Sequence, residues 1–218
     1  MLTKQGRVNS GVIPIALAAI ALVILFAMSW SNALRSERGA SDHFWSLAWV
    51  DGVQAEGYES RKEIYELTDA VVLGRLASIS PGRVIGDAEN DNAAYYVTVT
   101  LDIERVLRAR PNAVPADGSV RLELVTFQEE VVAMMVEAFE PESGLFFLTS
   151  KGLDAARAGE SVEVQAAEMP YYRLAVADGV LREIGGRAFT RPSPDASLFS
   201  SLQGQSFDSA IEEIESGS

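Results

Sequence analysis

Residues 95–107, YYVTVTLDIERVL, alternate between two sides. Tyr95, Val97, Val99, Leu101 and Ile103 fall on one; Tyr96, Thr98, Thr100, Asp102 and Glu104 fall on the other. A strand sends successive side chains to opposite faces, so this period of two predicts a half-buried strand. It is the clearest strand in the chain, and its neighbours extend the pattern. Before it, the run from Asp69 to Ser80 is dense in branched apolar residues and predicts a strand that stops at Pro81-Gly82, with Gly74 marking a bulge or bend. Between the two lies a polar acidic loop, GDAENDN (86–92). After it, Arg110 to Gly118 is rich in turn residues. Ser119 to Phe127 then alternates again, Val120, Leu122 and Leu124 opposite Arg121 and Glu123.

Further on, Glu129 to Phe139 fits a helix through Val131, Met134, Met135 and Ala138, although its valines also suit a strand. Gly144 to Ser150 is a short, fully apolar strand, and Lys151 to Gly159 a loop with at most a helical turn. Tyr171 to Ala177 and Val180 to Ile184 read as a hairpin across Asp178-Gly179, a strong turn pair, and Gly185-Gly186 breaks or bulges the second strand. Two helices flank the strands. Glu59 to Thr68 places Ile64 and Leu67 on one face. Ser206 to Glu215 carries Ser206 as N-cap, Asp208 in the first turn and an apolar face of Phe207, Ala210, Ile211 and Ile214.

Five or six strands without long crossover helices argue against a parallel α/β sheet. Closure into a small barrel hides the edges that an isolated sheet would expose. The expected fold is mainly β with flanking helices: a small closed or partly open antiparallel β-barrel. The succession TDAVVLGRLASISPG, IERVLRARP, GSVRLELVTF, ESGLFFLTS, YYRLAVADGVLREI and LQGQSFDSAIEEI resembles bacterial secreted or membrane-anchored OB-fold-like domains, which are in turn similar to the netrin/metalloproteinase-inhibitor module. The resemblance spans about residues 59–215 as a pattern. It implies an OB-like barrel. The animal inhibitors bind the protease metal through an N-terminal cysteine; this chain has no cysteine, so that mechanism does not carry over.

Upstream, Val12 to Met28 reads VIPIALAAIALVILFAM, without a charge, and Lys4 and Arg7 precede it. A transmembrane helix needs about 17–25 apolar residues, and the segment 12–30 meets that length with Pro14 in the first turn and Trp30 at the far interface. The basic N-terminus stays cytoplasmic under the positive-inside rule. A cleaved signal peptide with Ser31-Asn32-Ala33 at its cleavage site is the alternative. Both readings put the remainder outside the cytoplasm. The expected organisation is a cytoplasmic N-terminus (1–11), a transmembrane helix or signal anchor (12–30), a linker with an aromatic juxtamembrane segment (31–58), a β-barrel domain (59–190), and a Pro-containing loop with the C-terminal amphipathic helix (191–218). The expected location is the cell membrane, single-pass, with the C-terminal domain periplasmic or extracellular.

The chain of 218 residues carries a net charge of −13, with 18 basic and 31 acidic residues. Lys4 and Arg7 are the only charges before residue 35, so 16 basic residues face 31 acidic ones beyond it, a balance of −15. Such a surface repels phosphate backbones, which argues against nucleic acid as a partner. Without cysteine there is no disulfide, thiol nucleophile or lipid attachment through a thiol. A single histidine, His43, supports neither a serine triad nor an HExxH zinc site. No phosphate-binding glycine motif is present. The loop acids Asp87, Glu89 and Asp91 match the start of an EF-hand, but Asn92 stands where glycine is needed and Thr98 where glutamate is needed. No catalytic residue, cofactor or metal site is expected.

The sequence therefore points to a membrane-anchored binding or structural module whose partner is an envelope protein or glycan. The candidate contact residues are Phe44, Trp45 and Trp49 in HFWSLAWV (43–50) and Asp87, Glu89 and Asp91 in the acidic loop. For residues 43–50 the competing expectation is a segment folded back on the core, since aromatic side chains mostly bury. Two functional alternatives remain: a secreted inhibitor-like barrel after signal cleavage, and a carboxylate-dependent glycan or peptide hydrolase. The latter needs one carboxyl in an apolar pocket, drawn from pairs such as Glu129/Glu130 or Glu140/Glu142.

Overall fold

A computed structural model describes residues 42–48, 60–87, 92–176, 179–190 and 198–216. Contacts divide the chain between Arg38 and Gly39, and every described residue belongs to the unit 39–218. The apolar segment 12–30 and the residues Trp49, Glu89 and Asp91 lie outside the described residues. Among those described, no helix is long and apolar enough to cross a membrane.

Seven strands form one sheet: β1 (Ala70–Asp87), β2 (Asn92–Ala109), β3 (Ser119–Thr126), β4 (Glu142–Ser150), β5 (Tyr171–Leu174), β6 (Val180–Ile184) and β7 (Arg187–Phe189). The first five close on themselves in the order β1-β2-β3-β5-β4, with β4 pairing back to β1 from Ala70↔Leu148 to Leu76↔Glu142. The protein is thus mainly β around a ring of five strands. One expected detail changes. Strand direction cannot alternate all the way round a ring with an odd number of members, so at least one pair must be parallel. That pair is β3 with β5, through Arg121↔Tyr171 and Leu122↔Tyr172.

All five ring strands send side chains to one cluster, the ring's interior: Val72, Leu76, Val97, Val99, Leu101, Leu122, Phe146, Leu148 and Tyr172. Two helices add to it. The helix α1 (42–48) contributes Phe44, Trp45 and Ala48, and α3 (Glu129–Ala138) contributes Val131 and Met135. The alternation expected of 95–107 is present, with Val97, Val99 and Leu101 inaccessible. The start of β1 (70–74) and β4 are instead buried on both faces, which is why those stretches read as apolar runs. Their other face, Val71, Leu145 and Phe147, joins Leu181, Phe199 and Leu202 in a second cluster. Ile64 of α2 (Arg61–Leu67) and all four expected apolar residues of α6 (Phe207–Glu215) complete that cluster. Ser206 caps α6 as expected, accepting from the Ser209 amide. Leu67 does not share the buried face of Ile64 and is 52% exposed.

Several expectations are corrected. β1 does not stop at Pro81-Gly82 but continues to Asp87. Its pairing with β4 ends at Leu76, so Pro81 lies where one edge has no partner strand and a missing N–H costs little. A register shift between Pro81 and Val84 marks a bulge, where a Cβ on Gly82 would meet the Tyr96 carbonyl oxygen at 2.8 Å. The hairpin expected of 171–177 with 180–184 is not formed by β5 and β6. β5 and β6 both pair with β4, in tandem along one edge, through Leu148↔Leu174 and Phe146↔Val180. The hairpin is β6–β7, across Gly185-Gly186 with φ of 59° and 75°. Two successive positive φ values are what a tight two-residue hairpin turn requires. Residues 129–138 are helical, the loop expected over 151–159 is largely the helix α4 (Lys151–Arg157), and a further helix, α5 (Val162–Glu168), follows it.

Candidate functional site

Glu123 was expected on the water side of β3. It does point away from the ring's interior, since Leu122 and Leu124 point inward, yet it is only 3% exposed. Its cover comes from four places. In register across from it on β2 is Thr98, and Tyr96, two residues earlier, lies on the same outer face. The β1 bulge projects Arg83. Ser150 at the end of β4 caps α4 by accepting from the Leu153 amide, which sets Lys151 at the helix start. The last residue of α5, Glu168, and the first of β5, Tyr171, close the far side.

These side chains form one charge-balanced cluster. Arg83 donates from Nε and Nη2 to the two Glu123 oxygens, both at 2.9 Å. From Nη1 and Nη2 it also donates to the two Glu168 oxygens, both at 2.6 Å. Lys151 Nζ reaches Glu123 Oε2 at 2.6 Å. The cations lie over aromatic faces: the guanidinium is 4.3 Å from the Tyr171 ring centre and 5.6 Å from that of Tyr96, and Lys151 Nζ is 4.2 Å from the Tyr96 ring centre. Two bidentate carboxylates thus share one planar guanidinium, a geometry that lysine cannot reproduce. The hydrogen bond to Glu168 is the main reason the Arg83 pKa is raised, and the same bond holds Glu168 below the usual carboxylate range. Burial, then the Glu123 charge, pushes the Tyr96 hydroxyl up.

A second network fixes α4. Asp69, 1% exposed, accepts the Ser150 amide at 3.0 Å and two Arg157 bonds at 2.8 and 3.1 Å. Asp154 bridges Arg157 at 3.0 Å and Arg173 at 2.8 Å. Burial pushes Asp154 up, but the Arg173 and Arg157 hydrogen bonds outweigh it and leave its pKa lowered. Depressed carboxyl pKa values contribute stability that is complete above the unfolded value and is lost as pH falls through the folded one. Acidification below about pH 4, the ordinary carboxyl range, is therefore expected to release α4 and α5 before the ring opens. Hydrogen exchange followed against pH checks this: residues 151–169 should lose protection at a higher pH than β1 and β4. Simultaneous loss would show that the two networks do not act locally.

The expected contact residues lie elsewhere. Phe44 and Trp45 are 2% and 1% exposed and pack in the ring's interior. Asp87 is exposed at the end of β1, paired in register with Asn92. Glu129 and Glu130 sit exposed in the first turn of α3, and Glu142 accepts from the Trp45 indole N–H. His43 is exposed, and its main-chain carbonyl accepts from Ser46. Among the described residues no three His, Cys, Asp or Glu side chains gather as a metal site. The sequence reading missed Arg83, Glu123, Lys151 and Glu168. The available signal was Tyr96, a large aromatic on the polar side of the clearest strand, which implies a cover.

No protein family, curated protein or solved structure matches the chain.

Proposed function

We propose that this chain is a membrane-anchored extracytoplasmic binding module built on an OB-like barrel, with the outer face of β2 and β3 as its binding face. The ring order β1-β2-β3-β5-β4, its closure onto β1 and the helix between β3 and β4 support that reading of the fold. OB-folds bind ligands across strands 2 and 3, between the β1–β2 and β4–β5 connections. The observation that carries the proposal is that the Arg83–Glu123–Lys151–Glu168 cluster, built over the buried Glu123, lies on that face and that α4 and α5 are the β4–β5 connection. The anchor is the segment 12–30, oriented by Lys4 and Arg7. The partner is an envelope protein or glycan.

Photo-crosslinking side chains placed at Thr98 or Arg121, on the outer face, and at Glu212, exposed on α6, test this in intact cells. A discrete envelope partner should crosslink from the first two positions and not from Glu212, on chains that retain residues 1–30 in the membrane fraction. Crosslinking from Glu212 alone, or from no position, would overturn the binding face. A soluble chain beginning near Leu34 would overturn the anchor.

A further inference from the structure

Of the four charged groups in the cluster, three belong to firmly held structure. Glu123 lies on a ring strand and its side chain is inaccessible. Arg83 projects from the β1 bulge, and Lys151 begins a helix pinned by Asp69 and Arg157. Glu168 differs. It belongs to α5, a seven-residue helix that buries none of its residues. Such a helix is too short to be stable alone in water. The excursion 151–170 leaves from Ser150 and returns at Tyr171, beside the rung where Ser150 pairs with Tyr172. The ring is therefore complete without it. At the turn into α5, Gly159 has φ of 75° and ends α4, its amide donating to the Ala156 carbonyl and that of Glu160 to Ala155, so α4 is closed off before α5 begins. At the far end Met169 rests on Gly152, where an added Cβ would come within 2.6 Å of it.

Charge points the same way. Arg83 and Lys151 balance Glu123 and Glu168. Without Glu168 the site keeps one uncompensated positive charge and half of a guanidinium fork, flanked by Tyr96 and Tyr171. That is the donor arrangement that binds a planar carboxylate in two-point fashion. The Arg83–Glu168 contact is also at the surface, with side chains 26% and 23% accessible, so exchange with an external carboxylate needs little rearrangement of the core.

We infer that Arg83, framed by Lys151, Tyr96 and Tyr171, is a carboxylate-binding site that α5 fills with its own Glu168, and that an apolar peptide segment bearing one carboxylate displaces it. The inference deepens the proposed binding face and rests on it. Two observations select peptide over carbohydrate. The ring faces that would stack on a sugar are already covered by Arg83 and Lys151. The segment that carries Glu168 is itself aliphatic, with Val162, Val164 and Met169 at 74%, 41% and 41% exposure, so the occupant already in the site is a peptide of that character. The net charge of −13 repels polyanions at long range, so the favoured segment is otherwise neutral.

The test uses the full chain in nanodiscs, as the parent and as Glu168→Gln. The probes are a blocked peptide Ala-Val-Glu-Val-Ala, its Gln counterpart and a glucuronate-ended disaccharide. Affinity is read by titration, and α5 by hydrogen exchange at residues 162–168. The Glu peptide should bind Glu168→Gln roughly tenfold more tightly than the parent, as for a parent whose open form is about a tenth populated. The same peptide should speed exchange in α5 of the parent, and the Gln peptide should bind neither protein. An unchanged near-ultraviolet spectrum shows that the variant is folded. Adding Arg83→Lys to Glu168→Gln should abolish the binding. Equal affinity of the Glu peptide for parent and variant, equal binding of the Glu and Gln peptides, or preference for the disaccharide each overturns the inference. If crosslinking from Thr98 persists in that event, the binding-face reading survives; if it is lost, both fall.

Discussion

Replacing Trp45 by alanine is expected to lower the melting temperature of the unit 39–218 by roughly 10 °C. Truncating a fully buried tryptophan costs about 3–5 kcal/mol, and each kcal/mol shifts a domain of this size by about 2–4 °C. The indole is 1% exposed inside the ring, edge-on to Phe44 at 5.2 Å, and its N–H donates to Glu142. Phe44 in turn meets Phe139 edge-on at 5.5 Å. Alanine removes the packing and leaves Glu142 without that donor. The loss should spread, because a helix as short as 42–48 does not hold itself together. Detachment of α1 would take Asp42 from Arg182, a guanidinium only 1% exposed. Trp45→Phe is the control. It keeps most of the apolar area and should cost about 1 kcal/mol, near the worth of the lost hydrogen bond. Calorimetry on both variants decides the matter. A shift for Trp45→Ala no larger than that for Trp45→Phe would show that α1 adds little to the core.

This expectation also marks how far the sequence could be read. Two roles fitted the aromatics of 43–50, an exposed contact and a folded-back segment, and the tendency of aromatic side chains to bury favoured the second. The structure buries Phe44 and Trp45, and the missing information was the distant residues that receive them, Phe139 and Glu142 among them. Where burial follows a local period, reading was sound: β2 from Tyr95 onward, the Ser206 cap, and the four apolar residues of α6. It failed where a distant element sets the environment. Leu67 has the right spacing from Ile64 but nothing packs over it. Asp178-Gly179 has the composition of a hairpin turn, yet β4 offers one continuous edge to the strands on both sides of it. The pair that reverses the chain, Gly185-Gly186, had looked like an interruption.

The candidate site was the least legible part. Arg121 and Glu123 are both charged residues on the polar side of β3, and sequence treats them alike. Arg121 is exposed, whereas Glu123 lies beneath Arg83, Lys151 and the end of α5. The cover is assembled from residues 40, 28 and 45 positions away along the chain. No periodicity carries such information. α5 itself escaped notice because its apolar side chains remain in water, so it lacks the stripe by which a packed helix is recognised.

Glu123→Gln is expected to destabilise the fold by about 2–3 kcal/mol, and the size of the effect depends on what remains. Breaking a buried ion pair by removing one partner costs about 3–5 kcal/mol, because the other charge is left desolvated. Here the cations keep part of their hydration, at 26% and 15% side-chain exposure, and Arg83 keeps Glu168, so the lower figure applies. Lys151→Met should cost less, about 1–2 kcal/mol, since Glu123 retains both Arg83 bonds. Combined, the two substitutions should cost less than their sum by about 1 kcal/mol or more, because Lys151 loses its buried partner in the first variant and is absent from the second. Urea unfolding of the four proteins measures the coupling. Strict additivity would mean that Lys151 and Glu123 do not sense each other, contrary to their 2.6 Å contact. The cycle also separates stability from recognition. The double variant still has Arg83 paired with Glu168 alone. Its exchange with external carboxylates should then change through the missing Glu123 acceptor, not through unfolding.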